Sequence, residues 1–233
     1  MPTDALKAIE TLIRSQFYPQ SAHDNRPSQP VVVTISREEG SGGRKIAQML
    51  AEQLGVPLYD KELLNAVVEQ SGIDVKLMER LDEKTRGFWD AWIMSLLSGE
   101  NVLEENYRRH LVKVVLGILH SGGVIIGRGA HVILANQRVL RVRITASSEV
   151  CTQRVARSKG ISLEEAREQV EQGNQARGRF VWDIFKRRLN DPTGFDLTIN
   201  TDHLDKSEDV VEIILFALLR YLKDPLRRRT DDR

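Results

Sequence analysis

One cysteine in 233 residues is too few for an intrachain disulfide and leaves no cysteine cluster to hold zinc. Cys151, alone, fits a reducing compartment. Histidine is also scarce: His23, His110, His120, His131 and His203 never fall at H-x-x-x-H or H-E-x-x-H spacing, so a zinc site is not expected. An excess of one charge is missing as well, since 34 Lys+Arg against 33 Asp+Glu give a formal charge of +1. That balance argues against a protein that coats nucleic acid. The RRR at 227–229 offers too few cations for a clamp at physiological salt. Long apolar runs are absent: the stretch Val210 to Leu222 is interrupted by Glu212 and Arg220 and is too short to span a bilayer. The N-terminal MPTDALKAIETLIRSQFY lacks the apolar core of a secretory signal. There is no internal repeat and no low-complexity segment. The expectation is a soluble, cytoplasmic protein with neither membrane nor nucleic acid as partner.

What is present points to a folded chain. Apolar residues make up 41% and charged residues 29%, which excludes a disordered composition, and the length fits one α/β domain with an appendage. Leu6, Ile9, Ile13 and Phe17 recur at helical spacing, so residues 1–30 read as an amphipathic helix and a Pro/Ser/Asn-rich linker. That helix docks on the main body or on another subunit, which leaves a homodimer open. From 31 to 223 strands alternate with helices. VVVTIS, Val56–Tyr59, Val124–Ile126, Val139–Ile144 and Phe195–Asn200 read as buried strands, and helices follow at 44–54, 148–158, 162–190 and 207–222. This alternation predicts a doubly wound parallel sheet. Residues 224–233 read as a frayed tail.

The segment with the most chemical content is TISREEGSGGRKIAQML, residues 34–50. A buried strand runs into a glycine-rich turn that opens a helix. Gly40, Gly42 and Gly43 let successive N–H groups face a polyphosphate at the positive end of a helix dipole, and Arg37, Arg44 and Lys45 add cations. The pattern is not G-x-x-x-x-G-K-[ST]. Gly43 stands where the lysine belongs, and Arg44 and Lys45 fall where the magnesium-binding hydroxyl would be. Either a neighbouring cation takes over the lysine's role or transfer is impaired. Trp89 and Trp92 share a helical face that suits core or subunit contacts, or stacking on a base. His131 reads as a surface or helix-cap residue, with approach to a substrate as the alternative.

The blocks ISREEGSGGRKIAQMLAEQLGVPLYDKELL, VIIGRGAHVIL, VLRVRITASSEVCTQRV, NQARGRF and FDLTINTD resemble, in order, the cytidylate kinase-like proteins of bacteria, relatives of the nucleoside monophosphate kinases. The resemblance covers about residues 31–222. It implies a P-loop kinase fold with a helical nucleotide-binding insertion at about 61–120 and an Arg-rich lid at about 160–192. It implies transfer of the γ-phosphoryl of ATP, with Mg2+, onto CMP or dCMP. Carried over residue by residue, Ser36, Arg37, Gly40, Ser41, Gly42, Gly43, Arg44 and Lys45 form the ATP phosphate loop, and Arg154 follows the TAS turn. Arg128 stands at the arginine of D-G-R-D and Asp60 at the aspartate after the second strand, both facing the acceptor nucleotide. Arg128, the lid's Arg177 and Arg44 are the implied catalytic cations.

Departures from the family pattern are specific. Ile126 and Gly129 replace the two aspartates of D-G-R-D, and Asn174 stands where relatives carry Asp. Ser36, Ser41, Glu38, Glu39 and Asp60 are the nearest oxygen donors for magnesium, and none is assigned as a ligand. Two alternatives accompany the kinase reading. One is a nucleotide-binding regulatory module without catalysis, and the other a P-loop sulfotransferase using a donor such as 3′-phosphoadenylyl sulfate.

Overall fold

A computed structural model describes residues 30–70 and 102–223. The expected helix at 4–17 and its linker, Trp89, Trp92 and the tail from 224 lie outside the described residues. Among the described residues the strands are β1 (Val32–Arg37), β2 (Leu58–Tyr59), β3 (Gly123–Ile126), β4 (Leu140–Thr145) and β5 (Leu197–Asn200). The helices are α1 (Gly43–Leu54), α2 (Lys61–Gln70), α3 (Val102–Ser121), α4 (Ala130–Ile133), α5 (Ser148–Lys159), α6 (Leu163–Phe185) and α7 (Ser207–Lys223). The sheet order is β2-β3-β1-β4-β5 and every pairing is parallel, as the alternation of strands and helices predicts. β1 therefore lies at the centre, and its first five residues are buried. The chain leaves β1 toward one edge and later returns to its other side. That reversal opens a crevice at the carboxyl end of β1, where ligands bind in open α/β sheets.

Helices cover both faces. Ile46, Ala47 and Leu50 of α1 pack with Val210, Val211 and Ile214 of α7 against Val33, Ile35 and Val142. On the opposite face Leu111, Val115 and Ile118 of α3 meet Ile133 of α4 and Ile184 and Phe185 of α6. A smaller cluster of Ala146, Cys151, Val155, Ala166 and Val170 fastens the first half of α6 to α5. α6 is thus anchored at both ends, on α5 at its start and on the main core at its finish. Its start is fixed by a capping box, with the Ser162 hydroxyl accepting from Glu165 N–H and the Glu165 carboxylate accepting from Ser162 N–H. The sequence predicts a helical region to residue 190. The helix stops at Phe185, and Lys186 closes it in the left-handed conformation at φ 52°. The edge strand β5 is held by Arg141, which grips Asp196 with Nε at 3.0 Å and Nη2 at 2.9 Å.

Candidate active site

β1 ends at Arg37 and α1 begins at Gly43, so residues 38–42 form a short loop across the crevice, with the amino end of α1 behind it. The loop is tethered from several sides. Glu38 N–H donates to the Ile144 carbonyl at 3.1 Å, and the buried Ser41 hydroxyl donates to the Glu38 carbonyl at 2.9 Å. Gly40 has φ +81°, and a Cβ there would lie 2.5 Å from the Cys151 carbonyl oxygen. Left-handed backbone and close approach to α5 together require glycine.

Two interactions hold the loop by its carboxylates. Glu38 Oε1 accepts from Arg143 Nη2 at 3.0 Å and Oε2 from Ala146 N–H at 3.3 Å. Arg143 is itself buried in β4 and donates to the Leu189 carbonyl at 3.0 Å, tying the loop to the segment after α6. Glu39 pairs with Arg177 of α6, and its N–H donates to Asn174 Oδ1 at 2.8 Å. Arg177 also reaches Asn174 Oδ1 at 3.4 Å, so the i,i+3 pair acts on one face of α6, against the loop. Arg179, Arg187 and Arg188 are exposed.

Beneath the loop stands Thr201. Its hydroxyl donates to the Ser41 carbonyl at 3.1 Å, and Arg154 holds it with bonds of 2.9 Å to Oγ1 and 2.7 Å to the carbonyl. Arg154 therefore braces the loop from behind. Glu38, Arg143 and Thr201 all lie in the sequence blocks quoted above, but nothing in the sequence assigns them these bracing roles, because their partners lie tens of residues away.

A second group of polar side chains stands at the ends of β2 and β3. Asp60 caps α2 by accepting from Leu63 N–H at 3.0 Å, and its other oxygen pairs with Arg44 at 2.9 Å. After β3 the chain makes three successive left-handed residues: Gly127 (φ 82°), Arg128 (φ 52°) and Gly129 (φ 67°). A left-handed arginine is strained, and such strain gathers at functional sites. Arg128 lies over the Phe180 ring of α6, 4.5 Å from its centroid, and its Nε is buried without a partner. Arg128, Arg177, Arg37, Arg44 and Asp60 thus gather at the crevice. Lys45 does not join them; it is exposed and faces Glu208 of α7 at 4.0 Å. His131 is neither a surface nor a cap residue. It is buried against the Phe195 ring at 4.7 Å, and burial, then Arg143 and Arg141, pull it down to about 4.

Four of the five oxygen donors named from the sequence have partners: Glu38 pairs with Arg143, Glu39 with Arg177, Asp60 with Arg44, and Ser41 donates to the Glu38 carbonyl, while Ser36 is buried in β1. No group of three or more His, Cys, Asp or Glu among the described residues is arranged to hold a metal ion. Of the five N–H groups of residues 38–42, those of Glu38, Glu39 and Ser41 already have acceptors, so what this segment offers an anion is chiefly the amino end of α1, and the carboxylates beside it are paired with arginines. No helix among the described residues is long and apolar enough to cross a membrane.

A cytidylate kinase of Methanopyrus kandleri is 26% identical over 202 residues, 86% of this chain and 97% of its own. One from Ignicoccus hospitalis is 30% identical over 193 residues, 81% of this chain and 99% of its own. The named relatives are mostly archaeal, so the bacterial attribution in the sequence resemblance gains no support from them. An uncharacterized protein from Eubacterium ventriosum superposes with a TM-score of 0.62 at 20% identity, over 81% of this chain and 98% of its own, so the two share a fold. A profile of the cytidylate kinase-like family matches residues 32–203, the span that carries the loop, the strained turn and α6, and the chain belongs to that family.

Proposed function

We propose that the protein is a nucleoside monophosphate kinase that transfers the γ-phosphoryl of ATP to CMP or dCMP. The observation that carries this reading is the contact of Arg177 and Asn174 of α6 with Glu39, beside the Arg128 turn. It joins a phosphate loop, a lid cation and an acceptor-side cation in one crevice. Phosphoryl transfer is mainly positioning and charge neutralisation, and these groups supply both. The α1 terminus and loop N–H groups receive the donor's phosphates. Arg128 and Asp60 orient the acceptor, and Arg177 closes over the transferring group while α6 excludes water.

The acceptor needs no general base. A nucleoside monophosphate has its second phosphate pKa near ~6, so the attacking oxygen is already ionised at neutral pH. The carboxylates absent at Ile126 and Gly129 are therefore not required for proton removal. Mg2+ bound to the incoming nucleotide would neutralise phosphate charge, while Glu38, Glu39 and Asp60 stay paired with arginines.

The test is ATP consumption by the pure protein with CMP, dCMP, UMP, AMP and GMP separately, each with a chelator control and calorimetric ATP binding. Metal-dependent turnover with a cytidine nucleotide is the expected result. A second reading, nucleotide binding without catalysis, is favoured by Gly43 at the lysine position; ATP binding with no turnover on any acceptor is its signature. The sulfotransferase alternative draws no support from the family match.

A further inference from the structure

We propose that Arg37, the last residue of β1, supplies the cation this loop lacks at position 43 and contacts the β,γ-diphosphate of a bound nucleoside triphosphate. The inference rests on the kinase reading and names the charge that reading leaves unassigned. The path of one side chain carries it. A Cβ on Gly43 would lie 2.5 Å from Arg37 Cβ and 3.0 Å from its Cγ. A Cβ on Gly127 would lie 2.6 Å from Arg37 Nη1. The stem of Arg37 therefore fills the space over Gly43, and its head reaches the turn that carries Arg128. Two glycines on separate elements make room for one arginine. A lysine at 43 and an arginine at 37 exclude each other sterically, so the departure from the usual loop pattern is a relocation of charge.

The electrostatics fit the same role. Burial, then the nearby Arg177, pull Arg37 down to about 10, while Glu39 and Glu62 oppose the shift and Arg44 adds to it. Arg37 remains cationic at neutral pH, a partly desolvated charge beside two other guanidinium groups. Among the described residues Arg44, Lys45, Arg143 and Arg177 each have a carboxylate within ion-pair distance, and Arg37 has none. A cation so placed, at the meeting of phosphate loop, lid and acceptor turn, is satisfied by an anion of high charge density bridging donor and acceptor sites. Arg44 and Lys45 are more exposed and turned toward Asp60 and Glu208.

Two variants test it. Arg37→Met keeps the apolar stem over Gly43 and removes the charge. ATP affinity by calorimetry should fall about tenfold or more, the scale of a lost charge-assisted contact, while AMP affinity changes less than about twofold. The exchange variant R37G/G43K moves the cation to the usual place and should recover at least about tenfold of the turnover that R37G loses. Arg37→Met that binds ATP within about twofold of the unaltered protein overturns the proposal, as does equal loss of ATP and AMP affinity or an exchange variant no better than R37G. The two levels fail separately. Unaltered protein that binds ATP yet phosphorylates no nucleotide sinks the kinase reading, and the Arg37→Met contrast still decides the role of Arg37. Unaltered protein that binds no ATP overturns both.

Discussion

Gly40 combines a fold requirement with a chemical one in a single position. Its left-handed φ and its closeness to the Cys151 carbonyl leave no room for a side chain. Gly40→Ala should cost about 2 kcal/mol or more, read as a lower urea midpoint at unchanged slope, and should raise KM for ATP more than it lowers kcat. His131 sets a pH limit. Its folded pKa of about 4 lies below the usual 6.5, so the unfolded chain binds more protons between those values. Stability conferred by neutral His131 is complete above about pH 6.5 and is lost as pH falls toward about 4, on the order of 3 kcal/mol in all. His131→Gln should flatten that acid slope in urea titrations; an unchanged slope would remove His131 as its cause. At this scale the sequence was most legible where spacing is short. The glycines of the loop and the i,i+3 pair Asn174 and Arg177 sit in motifs. The members of the Glu38–Arg143 pair and of the Arg154–Thr201–Ser41 brace also lie in quoted blocks, but their pairing was not legible, because folding alone brings residues so distant in the chain together. His131 was misread for the same reason: its burial comes from Phe195, on a separate element.

α6 is the element on which the chemistry turns. One half packs on α5 and the other joins the main core, leaving the middle turns, with Gly173, Asn174 and Arg177, against the phosphate loop. Arg177→Ala should lower kcat about a hundredfold, the scale of one lost transition-state cation, while the melting temperature moves little because Arg177 is only half-buried. Equal losses in activity and stability would reduce it to a structural residue. Thr201→Val removes one hydroxyl from the brace beneath the loop and leaves Arg154 Nη1 without that acceptor. A destabilisation of about 1–3 kcal/mol is expected with weaker ATP binding, measured by denaturation and calorimetry on the same preparation. Strands and helices were largely legible, since buried β-branched runs and glycine stops, such as Gly55 closing α1, are local signals. The end of α6 was not, because its polar continuation, KRRLN, carries no stop signal of its own and the chain turns at a non-glycine, Lys186.

The whole molecule is a scaffold that brings charge to one edge of a sheet. The order β2-β3-β1-β4-β5 places β1 between the Arg128 turn after β3 and Arg143 on β4, so the loop, that turn and the Glu38–Arg143 pair meet at the carboxyl end of β1. A net charge of +1 shows that this cationic crevice is local and balanced elsewhere. Ligand linkage follows: ATP at about a hundredfold above its Kd should stabilise the fold by about 2.7 kcal/mol, visible as a higher melting temperature that AMP at equal concentration does not match. The central claim is transfer between nucleotides, and the most direct measurement is the ratio of products. Chromatographic quantification of ADP and CDP after incubation with ATP, magnesium and CMP should give equal amounts if, as proposed, α6 closes the crevice and excludes water as acceptor. ADP without CDP, or neither product despite tight ATP binding, would contradict it.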